Sequence, residues 1–331
     1  MIRRLLALVE PFILALLGTV MLATLLPARG VWASVAAVAA DIGIVLLFFL
    51  HGAKLSRAAI VEGARNWRLH LAVLGTTFLV FPLLGIAVGS AAGLPPAVAQ
   101  GLLFLTLLPS TVQSSIAFTA IARGNVAAAV CSASFSNLIG IALTPALVAL
   151  TIGSIGGSGS GVSIAAVEAI VLQLLVPFVV GHLLRPWIGA MVARHRAALT
   201  YVDRGSILLV VYAAFGAAVV EGLWHRVSGA DLAVIALLCT LLLGIVMLFT
   251  LLLARLMELE REDAIVLLFC GSKKSLASGV PMAGVLFPAA QVGIVLLPVM
   301  LFHQIQLIAC AIIARRYADA AADTGDADIA V

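Results

Sequence analysis

Long apolar runs recur along almost the whole chain, and each is cut from the next by a charge, a glycine or a proline. A helix needs roughly 20 apolar residues to cross the hydrocarbon core of a bilayer. The runs meet that length at about 11–27, 35–52, 69–89, 97–121, 126–150, 164–184, 205–222, 231–254, 264–286 and 291–313. In lipid every backbone amide and carbonyl must find a partner inside the protein, which leaves helices and closed barrels as the only spanning structures. Runs this long and this continuous fit helices, so the expected fold class is an all-α membrane protein with ten transmembrane helices.

Composition agrees. Of 331 residues, 63% are hydrophobic and only 10% are charged. A water-soluble domain carries about 25% charged residues, so a globule of this chain would lack the charges to cover itself. The net charge of +4 fits basic loops at one membrane face better than a nucleic-acid surface, for which no basic stripe is present. Cys131, Cys239, Cys270 and Cys310 follow neither zinc spacing nor a secreted disulfide framework, and read as buried thiols. Arg3 and Arg4 precede the first apolar run as in a signal peptide, but Glu10 and Pro11 interrupt it, so a retained first helix is expected.

Loop charges orient the chain. Arg3, Arg4, Lys54, Arg57, Arg65, Arg68, Arg123, Arg185, Arg194, Arg196, Arg204, Arg255, Arg261, Arg315 and Arg316 fall on one side of this threading. Only Arg29 and Arg226 fall on the other. The first side is expected to be cytoplasmic, with both termini there and the chain in the plasma (inner) membrane. Thr151–Ser163 is rich in glycine and serine and reads as a flexible joint between halves. The expected units are residues 1–163, with five helices, residues 164–313, with five more in the opposite orientation, and an acidic, disordered tail at 314–331. Halves of odd helix number enter from opposite sides, which is the plan of an inverted repeat.

The fourth run of each half is broken by polar residues. The first break follows Pro109 with Ser110, Thr111, Gln113, Ser114 and Ser115. The second is Gly271-Ser272-Lys273-Lys274-Ser275. Proline removes a helix hydrogen bond, and unwound backbone at membrane depth survives only inside protein or beside a water-filled cavity. Broken segments at matching positions in two halves point to a binding site. A central lysine costs roughly 2.5–3.5 kcal/mol on insertion scales, so two in succession call for a role: an anion-binding charge, a proton carrier, or a built-in cation in the place of sodium.

Further candidates flank the breaks. Ser132, Ser134, Ser136 and Asn137 lie on the fifth run, and His303, Gln304 and Gln306 on the tenth. Interhelical hydrogen bonding accounts for such residues equally well. Asp41 and Glu168 are acids within apolar runs, suited to pairing with a lysine or to a membrane surface. GSKKS lacks the spacing of a phosphate loop, and a Ser–Lys nucleophilic pair has no legible oxyanion arrangement, so no enzyme is expected.

FFLHGAKLS (48–56), GLLFLTLLPSTVQSSIAFTAIARGNVAAAV (101–130) and FCGSKKSLASGVPM (269–282) resemble the bile acid:sodium symporter superfamily, within it the bacterial cotransporter-7-like branch. The resemblance implies two inverted five-helix repeats. It also implies a core domain of helices 3–5 and 8–10, a panel domain of helices 1, 2, 6 and 7, and two broken helices that cross in the core. Transport by alternating access between core and panel is implied too. Sodium-coupled members carry a carboxylate and amides at the second crossing, where this chain has Lys273 and Lys274, and commonly Asn where it has Ser115. A lysine repels sodium.

The expected function is therefore secondary transport of a small organic anion, either proton-linked or with lysine in the place of sodium. Its site would draw on Ser110, Thr111, Gln113, Ser114, Ser115, Ser134, Ser136, Asn137, Ser272, Lys273, Lys274, Ser275, His303 and Gln304. One alternative is sodium-coupled symport, with sodium near Ser114 and Ser115. Another, suggested by the branch resembled, is a regulatory membrane protein tied to calcium homeostasis. The expected partners are the anion and the lipid bilayer, with no cofactor beyond a coupling sodium ion or proton.

Overall fold

A computed structural model describes residues 11–54, 66–91, 95–155, 168 and 171–327. All regular structure among them is helical. The first helices are α1 (Pro11–Leu25) and α2 (Val31–Lys54). A third is continuous from α3 (Trp67–Gly75) through a π turn at Thr76–Val80 into α4 (Phe81–Ala91). Then come α5 (Pro96–Leu107), α6 (Gln113–Ile121) and α7 (Val126–Ile155). A second π turn, Val171–Leu175, leads into α8 (Val176–Arg194). The chain continues with α9 (Arg196–Val220), the short α10 (Leu223–Arg226) and α11 (Gly229–Leu256). It closes with α12 (Arg261–Gly271), α13 (Leu276–Leu286) and α14 (Ala289–Ala327).

Among the described residues, seven helices are long and apolar enough to cross a membrane. The other three apolar runs are the short α1 and two helices that break in mid-course, α5 into α6 and α12 into α13. The outer surface matches a lipid solvent. On α11, Leu237, Leu241, Ile245, Leu248, Leu252 and Leu256 are exposed in one stripe at helical spacing. Ile235, Cys239, Leu242, Val246 and Thr250 turn inward from the same helix.

Packing falls into two groups. α2 lies against α8 and α9, and α1 lies against α9. Backbones approach closely there: a Cβ on Gly52 would strike the carbonyl of Phe178, and one on Gly181 that of Phe49. Small residues permit such contact between membrane helices. In the second group α14 packs on α5, α11 and α13, while α12 packs on α3, α6, α7 and α11. The first turn of α12 ties this group together at one end. Asp263 accepts from Asn66 Nδ2 at 2.6 Å and from Asn125 Nδ2 at 2.9 Å. α9 meets the second group through α13 and α14.

Two expectations are corrected. The segment from residue 314, expected to be a disordered tail, continues α14 as helix to Ala327. Its alanine-rich sequence favours helix once the preceding turns are anchored. The glycine- and serine-rich joint begins inside α7, which runs to Ile155, and residues 156–163 lie outside the described residues. All four cysteines are buried, and none is in a disulfide among the described residues.

Candidate functional site at the two helix breaks

A helix end leaves its last carbonyls without intrahelical partners, and inside a membrane protein water does not supply them. The two broken helices solve this for each other. At the end of α5, Lys274 Nζ donates to the carbonyls of Thr106 and Leu108, both at 2.7 Å. Thr144 Oγ1 donates to the carbonyl between them, Leu107, at 2.8 Å. At the end of α12, Ser115 Oγ donates to Phe269 O at 3.0 Å, and Ser110 Oγ to Cys270 O at 2.5 Å. The chains touch directly where Ser275 N–H donates to Pro109 O at 2.8 Å.

Neighbouring helices complete the frame. Ser110 N–H donates to Ser136 Oγ at 2.9 Å, and Asn137 Nδ2 donates to Ser110 O at 2.8 Å. Asn137 Oδ1 accepts from Ser278 Oγ at 2.8 Å, so one amide bridges both breaks. The side chain of Gln306 pairs with both backbone groups of Lys274, accepting from its N–H and donating to its carbonyl, each at 2.9 Å. Gln306 Nε2 also donates to His303 Nδ1 at 2.9 Å, which places the proton of a neutral His303 ring on Nε2. Ser275 caps α13 by accepting from Ser278 N–H.

The two lysines are both fully buried, yet they differ. Lys274 spends all three ammonium hydrogens on carbonyls, the third being Thr77 O at 2.7 Å in the π turn. Its charge also meets the negative end of the α5 dipole, and the Phe81 ring lies 4.2 Å away. Among the described residues Lys273 has one long hydrogen bond, 3.5 Å to Ser114 Oγ, and lies over the rings of Phe118 at 4.5 Å and Phe269 at 5.6 Å. From Ser114 a chain of hydroxyls runs inward. Ser114 Oγ donates to Thr111 Oγ1 at 2.9 Å, and Thr111 Oγ1 lies 2.8 Å from Ser115 Oγ.

A cavity of about 300 Å³ opens beside the crossing. Of the residues singled out from sequence, Thr111, Gln113, Ser114, Ser134, Asn137, Ser275 and His303 line it. Ser110, Ser115, Ser136, Ser272, Lys273 and Lys274 lie behind the wall, all buried. Ser272 Oγ turns back to Leu268 O at 2.5 Å. Gln304 does not line the cavity, and its Nε2 has no hydrogen-bond partner among the described residues. Asp41 and Glu168 are exposed, and neither lines the cavity.

The opposite wall is not foreseen from sequence. It comes from α2, α8 and α9 and brings His51, Lys54, Thr200, Asp203 and Arg204 among apolar residues including Phe48 and Phe178. Lys54 and Asp203 form an ion pair. In the sequence Lys54 and Arg204 read only as loop charges at the ends of apolar runs. The packing of α2 on α9 is what brings them together.

The family model that matches residues 10–319 is described as the SBF-like CPA transporter family. The chain is 55% identical to the uncharacterized protein PA2026 of Pseudomonas aeruginosa, over 96% of this chain and 97% of that protein. It is 49% identical to YfeH of Escherichia coli K12, a proposed symporter, over 95% of this chain and 94% of that one. It is 24% identical to sodium/bile acid cotransporter 7 of Rattus norvegicus over 81% and 79%. A polar crossing of two broken helices, set in an apolar multi-helix body, thus stands in a chain that belongs to the SBF-like CPA transporter family, a family of membrane transporters of the bile acid:sodium symporter type.

Proposed function

We propose that this protein is a secondary transporter of a small organic anion, working by alternating access. The scaffold we propose is ten spans in two inverted five-helix repeats in the plasma (inner) membrane, with both termini cytoplasmic. α1, α2, α8 and α9 form the panel, and the remaining helices the core. The grouping of contacts among the helices supports this division, as does the clustering of Lys and Arg in the loops assigned to one side.

One observation carries the reading. The cavity lies between polar groups of both helix breaks and a charged patch of Lys54, Asp203 and Arg204 on α2 and α9, in which cations outnumber the carboxylate, with apolar walls between them. Such a space suits a ligand with an anionic group and an apolar body. Lys273 supplies the exchangeable charge of the core: its ammonium is one hydroxyl, Ser114, away from the cavity. Lys274 is the built-in cation. Its ammonium holds the carbonyls that a bound metal ion would otherwise hold.

Sodium-coupled symport is the second reading, supported by the name of the cotransporter 7 relatives and by the hydroxyls of Thr111 and Ser114 at the cavity wall. Purified protein separates the two. Ligands that bind only the folded state raise its melting temperature. Stabilisation by organic anions, indifferent to sodium, is expected. Stabilisation by sodium but not by potassium or lithium would favour the second reading. In liposomes, Lys273→Ala is expected to abolish anion flux without loss of folding, and unchanged flux in a folded variant would reject the role of Lys273.

A further inference from the structure

The ion pair on the α2–α9 wall is separate from the lysines of the crossing, and a role for it in binding rests on the anion-transport reading of the cavity. Lys54 is the last residue of α2, and Asp203 lies early in α9. Their side chains are 31% and 18% exposed, and both line the cavity. The lining holds two other groups that carry or can take positive charge on this wall, Arg204 and His51, but Asp203 is its only carboxylate among the described residues. The guanidinium of Arg204 lies over the Phe12 ring at 5.3 Å.

Asp203 is held unevenly. Oδ2 meets Lys54, whereas Oδ1 is buried and accepts no hydrogen bond among the described residues. A half-buried carboxylate with its inner oxygen unmatched depends on its remaining partner. If that partner turns to another anion, the carboxylate is left uncompensated, which is costly in a low-dielectric site unless it takes up a proton.

We propose that the substrate's anionic group binds Lys54 by displacing Asp203, and that Asp203 takes up one proton as it is displaced. The bound state then keeps the wall's net charge: one negative charge arrives with the anion, and one is neutralised on Asp203. The proton bonds to a carboxylate oxygen, and no other bond is made or broken. Anion and proton therefore enter the cavity together, in a ratio of one to one.

Other groups near Asp203 bear on its pH dependence. α2 brings His51 and Lys54, α9 itself Arg204 and α14 His303 to the cavity that Asp203 lines, while His182 of α8 does not line it. α1 and α13 bring no titratable side chain among the described residues. His51 Nδ1 lies 2.8 Å from Leu47 O and must be the protonated nitrogen there. The histidines, and Lys273 behind Ser114, are thus the competitors that a test must separate from Asp203.

The test uses the full chain in detergent and 2-naphthalenesulfonate, an apolar anion whose charge does not change near neutral pH. Binding is measured by calorimetry from pH 5.5 to 8.5. With one proton taken up per anion, affinity rises about tenfold for each pH unit lowered. Asp203→Asn, which imitates the protonated acid, removes the slope and binds more tightly than the parent at pH 8.5. Lys54→Gln loses affinity at every pH. Binding with no pH slope in the parent, or a slope that survives Asp203→Asn and vanishes instead in His51→Gln, His303→Gln or Lys273→Gln, overturns the proton step alone. Failure of the parent to bind the sulfonate at any pH counts against the cavity reading itself, and against this proposal with it.

Discussion

The adjacent lysines at the second break illustrate what residue type tells and what it withholds. Lysine at membrane depth announces a role, and Lys273 and Lys274 are legible from sequence for that reason. Their division of labour is not, because it depends on which carbonyls converge on each ammonium. Those of Lys274 come from positions 77, 106 and 108, far from it in the chain. Removing this ammonium leaves three buried acceptors unmatched, at about 1–3 kcal/mol each. Lys274→Ala is therefore expected to lower the melting temperature by many degrees. Millimolar methylammonium or potassium should recover part of the loss, because a small cation can enter the emptied carbonyl cage. Lys273→Ala should be less destabilising and gain nothing from cations. A Lys274→Ala protein as stable as the parent would show that the carbonyls find other partners.

At the scale of elements, the two broken helices are readable because Pro109 and the run from Gly271 to Ser275 interrupt apolar sequence. The π turns at Thr76–Val80 and Val171–Leu175 hold ordinary helix and strand formers, and their mark is fainter: a proline two residues past each, Pro82 and Pro177, which lacks the amide hydrogen for a helix bond. The Lys54–Asp203 wall is illegible for a different reason: its residues are 149 positions apart, and no local pattern joins them. Two predictions belong here. Gly181→Val would drive a side chain into the carbonyl of Phe49, and overpacking of this kind costs about 1–3 kcal/mol. A thermal or denaturant melt should show that loss, while Gly18→Val, with open space around it, should melt like the parent. Asp263→Ala releases both Asn66 and Asn125. It is expected to cost about 2 kcal/mol and to expose the α6–α7 turn to proteolysis. Asp263→Asn should recover part of the stability by keeping one acceptor.

For the molecule as a whole, hydropathy is sufficient for class: the exposed leucines of α11 and the buried polar crossing are the two sides of one lipid-facing design. The cavity between α2, α8 and α9 on one side and the broken helices on the other gives that design a purpose, provided that the two groups of helices move against each other. Gln113 is exposed and lines the cavity from the start of α6, and the four native thiols are buried. A single cysteine placed at Gln113 in a chain otherwise free of cysteine can be tested with a membrane-impermeant maleimide applied to one face of sealed vesicles or to the other. Labelling from both faces, with the balance shifted by a bound organic anion, is the outcome expected of alternating access. Labelling from one face alone, at every pH and with every anion, would contradict it.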